Sequence, residues 1–480
     1  MTDPMAWLVL LPLGWASLAF LLGPGRGALA AIIGLAAQLW LVADLAAAVS
    51  AAGARTHAVG GWGAPLGIDL AADGLSVVML LLMQAVALPL AVYARAYFAP
   101  EPDEARYFWP MTGFLVAAAN ALFLSADLFN LYVALELLGL AAVGLVAAGG
   151  GAPRLAAALR YLLATLVGSG AYLLGVAALY GTYGTVSIAT LTPLLAAGQA
   201  PALVWIAGGA MLAGLAVKTA LFPFHFWLPP AHGGAPAPVS ALLSGLVVKA
   251  SFYLILRLWL GPLGELASAA AGTAWLLALL GSVAILWGSY QAIRAAHLKM
   301  LIAYSTVAQL GYLFLIFPLL AVPSAAQAGV MHVFAHGFAK AAMFAAAGAL
   351  IRATGQDTVA GLAGLAERLP LTLFAFGLAG LTLMGLPPSA GFLAKWQLIE
   401  AALAQGYWFV AVVVLAGGLL AAFYVLRVLR QAFLSAPAAG ALRPVPRTLE
   451  WTAFALAAAS VLLGFRGVDL LALLAAGGAP

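Results

Sequence analysis

Residues 202–232 read ALVWIAGGAMLAGLAVKTALFPFHFWLPPAH, and this stretch predicts the class of fold. The first part is apolar, as in a helix that crosses the roughly 20-residue hydrocarbon core of a bilayer. Lys218 interrupts it, and Pro223 follows five residues later. Proline removes a backbone donor and clashes with the preceding turn. Such a break survives at membrane depth only where protein or a watery cavity satisfies the freed backbone groups. The stretch therefore indicates a broken membrane helix beside a buried cation.

The composition of the whole chain agrees with a membrane location. Of its 480 residues, 65% are hydrophobic and 7% are charged, whereas charged residues make up about a quarter of ordinary globular chains. The absence of cysteine excludes disulfides and cysteine-held iron–sulfur clusters within the chain. The net charge of +5 comes from scattered arginines, which does not indicate a nucleic-acid partner. We expect a protein whose solvent is the lipid bilayer.

Apolar runs between turn signals predict an all-α fold of fourteen transmembrane helices. The seventh span is predicted to be broken at Pro223, and the twelfth at Gly385, Pro387 and Pro388. The predicted spans are 5–23, 27–49, 73–95, 108–124, 128–148, 155–181, 202–222, 236–259, 271–291, 298–319, 323–352, 371–403, 406–431 and 449–473.

The basic residues predict an orientation for these spans. Of the 20 lysines and arginines, four lysines lie inside spans. With the N-terminus outside, thirteen of the remaining sixteen face the cytoplasm, and only Arg55, Arg257 and Arg466 lie outside. Cytoplasmic loops of membrane proteins carry such an excess of positive charge. The pattern predicts a multi-pass protein with both termini outside.

Four lysines and one glutamate are predicted to lie in apolar helix interiors: Lys218, Lys249, Lys340, Lys395 and Glu136. Lys299 is the only other lysine and is predicted to lie in a loop. A charge at mid-helix costs about 2.5–3.5 kcal/mol on insertion scales, so such residues usually have a function. The alternatives are structural ion pairs, or lysines whose long side chains reach the membrane interface.

Lysine in these places favours proton transfer. Desolvation favours the neutral amine, and a nearby carboxylate favours the ammonium, so a moving carboxylate loads or unloads the proton. Arginine stays charged and could not act in this way. The preference for lysine in the spans and arginine in the loops therefore predicts titration.

Histidines extend this interpretation. His332, His336 and Lys340 recur at four-residue spacing, which stacks them along one helix face. His225 lies seven residues after Lys218, nominally on the same face, although Pro223 intervenes. Rows of protonatable groups inside a membrane indicate a proton path. A pair of helical histidines also suits a metal, but no third ligand is evident, so neither a metal nor a cofactor is expected. His232, in a loop rich in glycine and proline, is predicted either to be solvated or to form a gate.

The spans also suggest an internal repeat. Spans four to eight and nine to thirteen form two blocks of five, and an odd number inverts the second copy, as in many secondary transporters. Each block has its broken span fourth, and each broken span carries a lysine. Gln309 is the nearest counterpart of Glu136 in the second block. The predicted units are 1–106 (spans one to three), 107–260, 268–432 and 433–480 (span fourteen).

Five motifs together resemble a known superfamily. The segment Asp127–Glu136 (DLFNLYVALE) is similar to the fifth-helix signature of the D-type subunit of Mrp-type multisubunit Na⁺/H⁺ antiporters. The segment VKTALFPFHFWLPPAH, with Pro238–Gly245 and Lys249 after it, resembles the core motif of the antiporter-like subunits of respiratory complex I. The remaining matches are residues 299–312, 332–340 and 386–396.

The resemblance implies roles for the buried residues. Glu136 and Lys218 would form a charge pair, Lys249 a bridge, the histidines of span eleven a relay, and Lys395 a terminal exchange site. Where relatives have Leu-Pro-Asp-Ala-His-Pro, this chain has LPPAHG at 228–233, which replaces a carboxylate at the break with Pro230.

We therefore interpret the chain as a proton-translocating subunit of a multisubunit Na⁺/H⁺ antiporter in a bacterial cytoplasmic membrane, working with other membrane subunits. It would be an ion transporter and not an enzyme in its own right. The alternative is the corresponding proton-pumping subunit of a redox-driven complex, either complex I or a membrane-bound hydrogenase. A carrier of organic solutes would need no line of lysines, and a scaffold would tolerate neutral residues in their place.

Overall fold

The computed structural model describes residues 3–64, 66–197, 200–269, 271–435 and 442–477. Parts of the predicted unit 433–480, namely 436–441 and 478–480, lie outside the described residues. The described chain is nearly all helical, as predicted. Its helices are α1 (Pro4–Ala52), α2 (Gly74–Tyr97), α3 (Phe108–Leu124), α4 (Leu128–Ala147), α5 (Ala152–Tyr183), α6 (Ile188–Ala196), α7 (Ala202–Lys218), α8 (Leu228–Gly234), α9 (Ala237–Leu242), α10 (Val248–Trp259), α11 (Pro262–Ala269), α12 (Ala271–Arg294), α13 (Leu298–Phe314), α14 (Pro323–Thr354), α15 (Pro370–Met384), α16 (Ala390–Ala404), α17 (Trp408–Phe433), α18 (Arg447–Leu462) and α19 (Gly467–Ala475).

A short hairpin is the one departure from an all-helical chain within the described residues. Strand β1 (Arg55–Ala58) pairs antiparallel with β2 (Asp69–Ala72), with Arg55 opposite Ala72. The hairpin connects α1 and α2. Strands of four residues in a connection carry too weak an alternation to be predicted from the sequence.

The first two predicted spans are the two halves of α1, which are separated by a kink. Gly23 has non-helical angles (φ 75°, ψ 179°), and Pro24 follows. Pro12 lacks a backbone N–H, so it cannot donate to the carbonyl of Leu8. The side-chain amides of Gln38 and Asn120 donate to this carbonyl instead, at 3.1 and 2.8 Å. A buried amide network thus satisfies the backbone group that Pro12 leaves open.

The seventh span is broken, as predicted. Helix α7 ends at Lys218, and α8 begins at Leu228 after a turn in which Ala220 has a φ of 54°. The last carbonyls of a helix have no partner within it. Trp227 Nε1 donates to Val217 O at 2.9 Å, so the side chain that follows the break satisfies one of them.

The twelfth span is broken in a similar way. Helix α15 ends at Met384, and Gly385 (φ 81°) forms its left-handed C-cap, a conformation that glycine adopts without steric strain. Helix α16 then begins after Ser389, whose Oγ accepts a hydrogen bond from Phe392 N at 3.2 Å. Both breaks therefore have an identifiable backbone cause.

All fourteen predicted spans correspond to helices or helix pairs, although they differ in length. In the described part of the chain, ten helical segments are long and apolar enough to cross a membrane, or eleven if α18 and α19, bent by 72°, form one span. Segments α7 and α15 are shorter because they stop at the breaks. The chain is a multi-pass membrane protein, and the fourth span of each predicted five-helix block is broken.

Two buried segments form the centre of the molecule. Helix α14 contacts α9, α13, α15, α16 and α18. A five-residue π-helix, Leu243–Val247, joins α9 to α10 and contacts α14. A Cβ on Gly245 would meet Gly337 O at 3.3 Å, and one on Gly337 would meet Gly245 O at 3.2 Å. Glycine at both positions allows this close approach, which brings the two blocks together.

Two residues that the sequence assigns to loops lie in helices instead. Lys299 is the second residue of α13. Arg257, assigned from the sequence to an outer loop, lies in the last turn of α10. It donates two hydrogen bonds to the carboxylate of Asp73, the N-cap of α2, and one to Ser76 Oγ. The correction has a simple cause, because a paired arginine at a helix end resembles a loop arginine in a hydropathy profile.

Candidate functional site

Glu136 and Lys218 form an ion pair between α4 and α7. Lys218 Nζ lies 3.4 Å from Glu136 Oε1, and the side chains are 5% exposed for the lysine and 17% for the glutamate. Lys218 also donates to Leu135 O at 3.3 Å. The helix break makes this contact possible, because it places Lys218 at the end of α7 while keeping the residue buried. The pair thus holds one acidic and one basic group together within the first block.

His225 does not extend this pair along a common helix face. Helix α7 ends at Lys218, and His225 lies in the 3₁₀ turn Phe224–Trp227 beyond the break. Its ring stacks on Phe222 at 5.5 Å between centroids. The spacing of seven residues therefore does not place His225 and Lys218 on one helix face. The hydrogen bonds of Lys218 do not include His225.

Lys249 is fully buried at the start of α10, directly after the π-helix. Its Nζ donates to the carbonyl of Ser244 within that π-helix. Single-turn π segments are rare and often mark functional sites. Ser244 Oγ also lies 2.8 Å from Thr306 Oγ1, which links the π-helix to α13. The π-helix therefore positions the Lys249 amine between the two blocks.

Four titratable side chains surround that of Lys249, and we call all five together the central cluster. His336 interacts electrostatically with all four of the others. Its ring stacks on that of His332 at 5.9 Å between centroids, as the four-residue spacing predicts. Both ring nitrogens of His336 are without a hydrogen-bond partner in the described part of the chain. The members of the cluster are His232, Lys249, His332, His336 and Lys340.

Lys340 lies in the interior of α14 and is fully buried. Its Nζ donates to Ile302 O at 3.0 Å and to the hydroxyl of Ser305. Both acceptors belong to α13, so the ammonium cannot reach the membrane interface. This geometry contradicts the alternative in which Lys340 extends toward the lipid headgroups.

His232 is a residue whose place the sequence left open. It lies in α8, is fully buried, and has both ring nitrogens without a hydrogen-bond partner among the described residues. It is therefore not a solvated turn residue. Its position after two prolines suggested a loop, whereas the seven-residue helix α8 packs against α13 and α5. Burial of so short a helix is a tertiary effect that local composition does not predict.

The side chains of His332 and Tyr312 connect the central cluster to Lys395. His332 Nε2 lies 2.9 Å from Gln309 O, and Lys395 interacts electrostatically with His332. The Lys395 Nζ lies 4.4 Å from the centroid of the Tyr312 ring, and the ring centroids of Tyr312 and His332 are 5.3 Å apart. Cation and ring are close enough for a cation–π interaction. We call Glu136, Lys218, the central cluster and Lys395 together the row. The row thus continues into the second block.

Lys395 sits at the break of the twelfth span. Its Nζ donates to Leu383 O at 2.7 Å and to Met384 O at 3.3 Å, the last carbonyls of α15. A largely apolar cavity of about 470 Å³ lies beside it. Trp396 and Leu419 line this cavity and are 56% and 68% exposed, so the cavity reaches the protein surface. Lys395 itself lines this cavity.

The charge balance of the row decides what it can do. Among the described residues, Lys218 is the only one of the four span lysines with a carboxylate at ion-pair distance. Structural ion pairs therefore do not account for Lys249, Lys340 or Lys395. Like charges in a desolvated site disfavour simultaneous protonation. The two lysines and three histidines of the central cluster cannot all carry protons, which leaves acceptors for a proton arriving from either side.

Together, the fold and this site define a multi-pass membrane protein with a row of titratable groups through its interior. The chain belongs to the family described as "NADH:quinone oxidoreductase/Mrp antiporter, TM", whose model matches residues 125–421. The matched segment runs from the cap of α4 into α17 and contains every residue of the row. The resemblance inferred from the motifs is confirmed.

Similar proteins come from both branches of this family. The chain is 38% identical to an N-type subunit of the NADH-quinone oxidoreductase of Desulforudis audaxviator, over 86% of this chain and 83% of the relative. It is 30% identical to a D-type subunit of the Na(+)/H(+) antiporter of Bacillus subtilis, over 79% and 76% of the two chains. A chain of the Mrp complex from a Dietzia species superposes with a TM-score of 0.90 at 28% identity, over 100% of this chain and 98% of that one.

Proposed function

We propose that this protein is the proton-translocating subunit of a multisubunit monovalent cation (Na⁺)/proton antiporter. The observation that carries the proposal is the row of buried amines and imidazoles between the Glu136–Lys218 pair and Lys395. Relatives named as D-type antiporter subunits and a superposable chain of an Mrp complex support it. The subunit transports protons and catalyses no reaction by itself.

The roles of the residues follow from their surroundings. Glu136, Lys218, Lys249 and Lys395 carry out proton transfer, and His332, His336 and Lys340 act as relays. The relay role predicted for His225 rested on a helix face that ends at Lys218. Movement of Glu136 relative to Lys218 changes the stability of the ammonium and so loads or releases a proton. The central cluster passes the proton between blocks 107–260 and 268–432, and Lys395 exchanges it at the end of the row.

The subunit resides in a bacterial cytoplasmic membrane with both termini outside. The excess of basic residues in the loops assigned to the cytoplasm supports this orientation. Other membrane subunits complete the assembly, since the similar chains belong to multisubunit complexes. The units 1–106 and 433–480 flank the two repeat blocks.

A proton-pumping subunit of a redox-driven complex is the second candidate. The 38% identity to an N-type subunit of an NADH-quinone oxidoreductase favours it. The same row of residues serves either assembly, because only the source of energy differs.

Isolation of the chain from its native membranes distinguishes the two. We expect an affinity-tagged chain to co-purify with small membrane subunits, and Na⁺ addition to collapse the pH gradient of energised everted vesicles. Deletion of the gene should remove this Na⁺ response. Co-purification with subunits that reduce quinone, together with proton uptake driven by their electron donor, would instead assign the chain to a redox-driven complex.

Replacement of Glu136 by glutamine tests the ion pair. Loss of the anion disfavours the Lys218 ammonium, so we expect flux at neutral pH to fall by about tenfold, as for loss of one proton-transfer partner. The activity should also decline at a lower pH than in the wild type. Glu400→Gln, an exposed carboxylate of α16, is the matched control and should leave the pH profile unchanged. An unaltered profile for Glu136→Gln would contradict the pairing.

A further inference from the structure

A small cavity lies beside Lys218, on the side that faces the segment carrying Lys249. Its volume is about 20 Å³. A cavity of roughly 10–15 Å³ by this measure holds one water molecule. Four lining side chains carry polar groups: Tyr161, Thr165, Lys218 and Ser251. The space is thus the right size for one water and is lined by hydrogen-bonding groups from α5, α7 and α10.

The polar groups have unused hydrogen-bonding capacity. The Lys218 ammonium has three protons, of which Leu135 O and Glu136 Oε1 accept two. Tyr161 and Thr165 are each 4% exposed, and among the described residues neither hydroxyl has a hydrogen-bond partner. Ser251 Oγ donates to Val248 O at 3.1 Å and keeps its lone pairs free. Buried polar groups are nearly always hydrogen-bonded, to protein or to ordered water.

Gly139 keeps this space open. It lies on α4, one turn after Glu136, and lines the cavity. A Cβ at this position would lie 2.8 Å from Thr165 Oγ1 and 3.5 Å from Lys218 Nζ. Any larger residue would therefore enter the space between the ammonium and the threonine hydroxyl.

We propose that this cavity binds a single water molecule. The water accepts a hydrogen bond from the third ammonium proton of Lys218 and is held by the hydroxyls of Thr165, Tyr161 and Ser251. Four partners match the two to four hydrogen bonds that a buried water makes. Ser251 and Val247 line the cavity on either side of Lys249 in the sequence. The water is the first station for a proton that moves from Lys218 toward the segment of Lys249.

The inference deepens the proposed function and rests on it. When Lys218 releases its proton by this route, one N–H bond breaks and one O–H bond forms on the water. In the same step the water gives one of its own protons to Ser251 Oγ on α10. The hydroxyl proton of Ser251 leaves toward the neutral amine of Lys249, the final acceptor, where one N–H bond forms. Lys218 becomes a neutral amine, and the water remains neutral. Thr165 and Gly139 are thus positioning residues, because they hold the water and do not receive the proton.

Thr165→Val and Gly139→Ala test the site in the whole complex. Valine keeps the shape of threonine but removes the hydroxyl. Alanine fills the cavity and leaves both charged groups of the pair in place, with its Cβ 3.5 Å from Lys218 Nζ. We expect each to lower proton flux by about tenfold, less than the roughly 100-fold or more for loss of a proton-transfer group, because only the positioning of the water is lost. Thr165→Ser keeps the hydroxyl and should restore flux to within about twofold of the wild type, since it restores the same hydrogen bond.

Ser169→Ala is the matched control. Ser169 lies on the same helix, is buried, and donates its hydroxyl to Thr165 O at 2.8 Å without lining the cavity. It should retain wild-type flux. The ratio of flux in H₂O to flux in D₂O is the second readout, since a merely structural defect would lower flux without changing it. We expect this ratio to change in Thr165→Val and not in Ser169→Ala.

Three results would overturn the water site. Wild-type flux in both Thr165→Val and Gly139→Ala, with flux abolished in Lys218→Ala, would contradict the water site but not the proposed function. Retained flux in Lys218→Ala would contradict both the proposed function and the water site. Equal losses in Thr165→Val and Thr165→Ser would also contradict the proposal, since the hydroxyl would not matter.

Discussion

Lys218→Ala is expected to abolish cation-dependent proton flux, with a loss of at least about 100-fold, the lower range for removal of a proton-transfer group. Lys218 is the only span lysine of the described residues with a carboxylate partner, so the variant removes the site where the proposed mechanism loads the proton. The remaining carboxylate of Glu136 is 17% exposed and can be solvated. The chain should therefore still enter its complex. Flux in everted vesicles and the elution volume of the solubilised complex measure the two effects.

Lys218→Arg is the companion variant. The guanidinium can keep the ion pair with Glu136 but does not release its proton. We expect an assembled complex with flux as low as in the alanine variant. Wild-type flux in either variant would exclude Lys218 from the proton path.

Lys395→Arg is expected to show a loss of similar size, again at least about 100-fold, because a permanently charged group cannot exchange protons. The adjacent cavity of about 470 Å³ provides room for the larger side chain. The two carbonyls at the end of α15 remain available as acceptors. The folded protein should therefore persist while release at this end of the row stops.

Lys299→Arg is the matched control for that substitution. Lys299 is the one lysine outside the buried set, and its Nζ donates to Ala235 O at 2.8 Å. Arginine can make the same hydrogen bond, so activity should stay near that of the wild type. If Lys395→Arg also transported protons like the wild type, the proposal that Lys395 exchanges protons would be wrong.

Much of the fold could be predicted from the sequence, because membrane insertion depends on local composition. The length of an apolar run and the position of a proline act within one helix. Both breaks, at 218–228 and at 384–390, were predicted for this reason. The separation of the first two spans was predicted too, since Gly23, with its non-helical angles, and Pro24 divide α1 into two halves.

The site could be predicted only in part. The i, i+4 spacing of His332 and His336 indicated one helix face, and the rings do stack. The same kind of spacing failed for His225, because the helix ends at Lys218. His232 was missed as a buried group, and the shared environment of Lys249 and Lys340 could not be deduced from positions 91 residues apart.

The sequence by itself determined that the chain lives in a bilayer, where its helices break, and which side chains inside them can titrate. These are properties of short segments, and lipid imposes them on each segment separately. Only the tertiary structure decided which of those side chains share an environment. The pairing of Glu136 with Lys218, the convergence on Lys249 and the polar cavity behind Gly139 all arise where separate helices meet. Contacts between helices depend on close packing of surfaces that are far apart in the chain. The hydropathy of each segment does not predict these contacts.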